Sequence, residues 1–101
     1  DDMKVTGLAV ENVKTGEITD VDTDGVFIYV GLIPNTEAFA DLNITDEEGW
    51  VITNEDMQTN IPGIFAIGDV RQKKLRQIST AVGDGAIGGQ EAFNYIETLN
   101  D

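Results

Sequence analysis

The chain has 101 residues, 41% of them hydrophobic, which is enough for one domain with a core. Its net charge of −13 argues against nucleic acid or an anionic membrane as a partner. It contains neither cysteine nor histidine, which excludes disulfides and thiolate chemistry and removes the commonest general base and metal ligand.

No apolar run approaches the length of a membrane span, and no signal-peptide pattern opens the chain. Asp1-Asp2-Met3 reads as the cut end of a longer protein. From Lys4 to Val13, β-branched residues dominate, so a strand with a kink near Gly7 is expected. Lys14-Thr15-Gly16 signals a turn, after which Glu17 to Val21 returns antiparallel. Thr23-Asp24-Gly25 turns again. The run Val26 to Val30, VFIYV, suits a strand buried on both faces. Pro34-Asn35 marks an exit from the sheet, and Thr36 is placed to cap a short helix over Glu37 to Leu42. A domain boundary is set here, giving residues 1–34 and 35–101.

Asp46-Glu47-Glu48-Gly49 is an acidic turn leading to a short strand, Trp50 to Thr53, which Asn54-Glu55-Asp56 closes. Its carboxylates lack the alternating ligand spacing of a calcium loop, so they are read as a solvated turn and no metal site is assigned. Trp50 is read as a packing residue. Pro62-Gly63 then precedes the apolar run Ile64-Phe65-Ala66-Ile67, a buried strand that ends in Gly68-Asp69. Such an end is either a tight turn or the place where an α/β sheet presents groups to a ligand.

Arg71 to Arg76 holds four of the chain's six basic side chains. A helix is expected from Gln77 to about Leu99, with an apolar stripe of Ala81, Ile87, Phe93, Ile96 and Leu99 packed on the core. Gly83, Gly85, Gly88 and Gly89 fall inside it. Each costs about 0.8–1.0 kcal/mol relative to alanine, so close approach of a ligand or of another backbone is expected in return. The cationic loop and the helix N-terminus together suit an anionic or electron-rich ligand.

TNIPGIFAIGDV followed by LRQISTAVGDGAIGG resembles the second flavin-binding signature of bacterial thioredoxin reductases, within the pyridine nucleotide–disulfide oxidoreductases. The likeness runs from about Val5 to the end. It implies an α/β fold: a fragment of a two-domain FAD/NAD(P)-binding, Rossmann-like protein, built as a β-meander plus a strand–loop–helix. Residues 1–34 would close the NAD(P)H-binding domain and residues 35–101 the FAD-binding domain. Asp69 would bond the ribityl chain of FAD. Arg76, Gln77 and Ile78 would lie along the flavin, and Gly68, Val70 and Ala81 complete the implied cofactor-binding set. Gly88-Gly89 departs from the family, where small residues with a methyl group are more usual.

The resemblance further implies FAD and NADPH as cofactors, thioredoxin as partner, a homodimer and a cytoplasmic location. For Gly83-Asp84-Gly85 no third glycine is expected three residues on and no strand immediately precedes, so an adenine-dinucleotide fingerprint is read as absent. The redox cysteine pair is absent too, so no catalytic residue is assigned and the fragment alone is expected to be inactive. The alternatives are a related flavoprotein (the reductase of a peroxiredoxin, or a ferredoxin–NADP reductase of thioredoxin-reductase type) and a non-enzymatic acidic binding module.

Overall fold

The computed structural model describes residues 3–100 and divides into two units, one ending at Leu32 and one beginning at Ile33. The first unit is a hairpin. Strand β1 (Gly7–Glu11) pairs antiparallel with β2 (Ile18–Asp22), Gly7 opposite Asp22 and Glu11 opposite Ile18. Asn12 organises the turn: its Oδ1 accepts the N–H groups of Lys14 and Thr15, and its carbonyl accepts Gly16 N–H at 2.7 Å. The third expected strand does not form. Val26 to Val30 pairs with no strand among the described residues, and Phe27 is 97% exposed. A β-rich apolar run is only a strand where a second edge meets its N–H and C=O groups, and the described residues offer none.

In the second unit, a 3-10 helix (Glu37–Leu42) follows Thr36. Thr36 holds the N-cap position, as expected, but its side chain makes no capping bond. Its buried hydroxyl instead donates to Gly49 O at 2.6 Å, tying the entry of the unit to the acidic turn. Three short extended segments meet at Val51. Its N–H donates to Val70 O, its carbonyl accepts Gln72 N–H, and it bridges antiparallel to Thr45. Ile44, Val51 and Met57 are the buried apolar side chains. The Ile64–Ile67 run is extended and bridges Gln58 through Phe65, but it is only half-buried. An open apolar groove of about 310 Å³ runs past it, lined by Phe39, Leu42, Val51, Phe65, Ile67 and Val70 among others.

Helix α1 (Ile78–Leu99) ends the chain. It forms as expected, but it packs on a different face. Asp84 and Gly88 are buried, with Ala81, Gly85, Ala92 and Tyr95 partly covered. The apolar stripe lies largely outside: Ile87, Phe93, Ile96 and Leu99 are 43–65% exposed. Small residues win the inner face because they let the helix approach the Ile64–Gly68 segment. A Cβ added at Gly88 would lie 2.5 Å from Ile67 Cγ2. Further along, Tyr95 meets Phe65 edge-on, with ring centroids 6.1 Å apart.

Candidate functional site

The expected site residues gather where the Ile64–Ile67 segment runs into α1. Gly68 is buried with φ +77°, a conformation that favours glycine, and opens a short 3-10 turn over Gly68–Val70. A Cβ built on Gly68 would sit 3.7 Å from Ala81 Cβ, so this turn lies against the first turns of the helix. Asp69 projects from it, exposed, and its carboxylate receives no hydrogen bond from the described residues. Val70 is half-buried, and its carbonyl accepts Val51 N–H. Gln77 is the N-cap of α1, and its N–H donates to Thr80 Oγ1 at 3.0 Å. Ile78 stands 86% exposed at the helix start. The N–H groups of Ile78 and Ser79 meet no acceptor among the described residues, as the geometry of a helix start dictates.

Arg76 joins the turn to the helix. Its Nε donates to Asp69 O and its NH2 to Arg71 O, both at 2.9 Å. Its guanidinium lies 3.6 Å from the ring centroid of Trp50. Stacking on an indole holds a cation in place while leaving its edge free to donate. Trp50 is therefore more than filling. The acidic turn sets it: Asp46 Oδ1 accepts Trp50 N–H and Glu48 N–H at 2.9 Å, and Oδ2 accepts Gln72 Nε2 at 2.8 Å. Partial desolvation opposes ionisation of Asp46, but these donors outweigh it and hold its pKa below the ordinary value.

The cationic loop does not act as one anion-binding patch. Arg71 NH1 and Lys73 Nζ both reach Asp84 Oδ2, each at 2.8 Å, and Gly68 N–H donates to the same oxygen at 2.9 Å. Arg71 Nε also donates to Thr53 Oγ1. With Arg76 stacked on Trp50, three of the four cations have partners inside the chain. Asp84 is 8% exposed. Burial alone raises its pKa, but the bonds from Lys73, Arg71 and Gly68 prevail and lower it to about 2. Sequence reasoning passed over this carboxylate. Its one signal was an acidic residue between two glycines, just after a run of cations, on a helix face otherwise made of small residues.

The helix glycines divide. Gly88 meets Ile67 and Met57, which is the packing explanation. Gly83 and Gly89 face open space, and Gly85 has only Ile67 Cδ1 at 3.9 Å. By spacing, Gly83, Gly85 and Gly88 do satisfy G-x-G-x-x-G, contrary to the expectation that the pattern is absent. All three lie inside α1, beyond its first turn, so no strand-to-helix bend forms there to cradle a pyrophosphate.

The family model described as pyridine nucleotide-disulphide oxidoreductase matches residues 2–85. Thioredoxin reductase of Listeria monocytogenes is 54% identical over all 101 residues, which make up 32% of that protein. The crystal structure of thioredoxin reductase from Streptococcus pyogenes is 62% identical, with a TM-score of 0.76 over 97% of this chain and 32% of that one. The enzyme of Lactococcus lactis, in its FR conformation, gives 58% identity and a TM-score of 0.78, with the same coverage. The chain thus spans about a third of the length of the relatives it matches.

Proposed function

The chain belongs to the pyridine nucleotide-disulphide oxidoreductase family, and on that premise we propose that it is the C-terminal part of a thioredoxin reductase whose Gly68–Asp69 turn and α1 start hold FAD. The observation that carries this reading is the unmatched, exposed Asp69 carboxylate on a turn packed against the helix start. A carboxylate accepts hydrogen bonds from hydroxyls and repels phosphate, so the residues fit the sugar-alcohol portion of a flavin cofactor rather than its pyrophosphate. Arg76, held over Trp50, and the free N–H groups of Ile78 and Ser79 put positive potential where an electron-rich ring edge would lie.

Bound FAD would supply the hydride and electron transfer. The chain's own task is to hold and orient. Asp69 would anchor the cofactor, and Gln77 and Ile78 would help hold it; Gly68 allows the sharp turn, Ala81 backs it, and Val70 fixes the turn to the extended segment at Val51. NADPH as donor, thioredoxin as acceptor, a dimeric assembly and a cytoplasmic location belong to the same reading; they are supported by likeness to the named reductases. The chain alone is proposed to be inactive, since its sequence has no cysteine to exchange with a disulfide. Among the described residues no helix is long and apolar enough to cross a membrane.

The test is the visible absorption spectrum of the full-length protein, before and after NADPH and then after oxidised thioredoxin. Flavin bands that bleach with NADPH and return with thioredoxin are expected. A colourless protein, or bands that thioredoxin does not restore, would reject the reading.

A further inference from the structure

Asp84 sits one turn beyond Ala81 on the buried face of α1, and a single oxygen, Oδ2, accepts from Gly68 N–H, Arg71 NH1 and Lys73 Nζ. The first of these bonds bears on the site directly. Gly68 has φ +77° and is the residue from which the Asp69 turn departs. Glycine in this region pays no steric cost but is also weakly restrained, so something must fix it. A buried amide without a partner is costly, and among the described residues its only acceptor is the Asp84 carboxylate, on the helix whose N-terminus forms the other half of the proposed site.

We propose that Asp84 is a positioning residue for cofactor binding: by accepting Gly68 N–H it sets the Asp69-bearing turn relative to the start of α1. Arg71 and Lys73 are then the counter-charges that let a carboxylate stay ionised in a covered place, rather than ligands for a phosphate. This rests on the flavin reading above and adds a residue to it that the flavin signature does not single out.

Two substitutions in the full-length protein separate positioning from charge pairing. Asp84→Asn keeps an oxygen in place for Gly68 N–H but removes the charge. Asp84→Glu keeps the charge for Arg71 and Lys73 but carries the oxygen one methylene away. FAD is added back to apoprotein, and binding is read by quenching of flavin fluorescence and by visible circular dichroism. Asp84→Asn is expected to bind within about threefold of wild type with an unaltered dichroic signature. Asp84→Glu is expected to bind roughly tenfold more weakly, with an altered one. The reverse order, or equal affinity in both, overturns the positioning role. Wild-type apoprotein that takes up no FAD rejects the flavin reading itself, which a normal wild type beside an indifferent Asp84→Glu would leave intact.

Discussion

At the scale of single residues, the account turns on two carboxylates with opposite fates. Asp69 is exposed and unmatched, Asp84 covered and triply bonded. The Asp84 pKa, lowered to about 2 from an ordinary 3.8, makes it a stabilising group with a defined pH window. A depressed carboxylate contributes fully above its unfolded value and loses that contribution as pH falls through its folded one. The shift corresponds to roughly 1–2 kcal/mol once partial solvent screening is allowed for. Urea denaturation of the full-length protein and of Asp84→Asn should therefore show a stability gap that is constant above pH 5 and closes between pH 5 and pH 2. A gap that does not change with pH would remove Asp84 from the stabilising groups. The place of Asp69 at the end of the apolar run was legible in the sequence, but the partners of Asp84 were not, because residue type alone does not separate the two aspartates. Only the turn at Gly68 and the helix phase distinguish them.

At the scale of elements, α1 shows what periodicity does and does not tell. Its extent was legible from the pattern that starts at Gln77, and the segment before it from Pro62-Gly63 and the apolar run. Its buried face was not. The hydrophobic pattern picked Ile87, Phe93, Ile96 and Leu99 along with Ala81, whereas close approach to Ile67 selects Gly88, and the bonds from Gly68, Arg71 and Lys73 select Asp84. Side-chain apolarity does not mark a face built largely of small residues and one paired carboxylate. The two adjacent glycines test this reading. Gly89 faces open space, so Gly89→Ala should stabilise this unit by up to about 1 kcal/mol through helix propensity. Gly88→Ala drives a methyl into the β-branched Ile67 side chain, and overpacking of about 1–3 kcal/mol outweighs the same gain. Thermal melts of the two variants should move in opposite directions. A rise for both would show that Ile67 yields freely and that Gly88 is not needed for packing.

The expected strand at Val26–Val30 failed for a reason at the same scale. The run has the composition of a buried strand, but strand formation is a property of pairs, and among the described residues β1 and β2 pair with each other and leave it without a partner strand. The acidic turn fared better. Asp46 closes it as an Asx turn, and what sequence could not reveal is that the turn aims Trp50 beneath Arg76.

At the scale of the whole molecule, the exposed apolar surface is large for a 101-residue chain. Phe27, Ile28, Tyr29 and Val30 are 80–97% exposed, and the groove past Phe39 and Phe65 is open. Contiguous apolar surface and unpaired strand edges favour association with other chains. The 101-residue chain by itself should self-associate, with a sedimentation coefficient that rises with concentration, and Phe27→Asp should reduce that rise. A compact monomer at every concentration would contradict this. The net charge of −13 opposes association, so the effect should grow with added salt as the repulsion is screened.

The central claim is that the Asp69 turn and the start of α1 hold FAD. It is tested most directly by the FAD dissociation constant of the full-length apoprotein, measured for wild type and Asp69→Ala. Loss of a charge-assisted hydrogen bond of about 1.5–3 kcal/mol predicts an affinity roughly tenfold to a hundredfold weaker in the variant. Equal dissociation constants for the two proteins would contradict the claim.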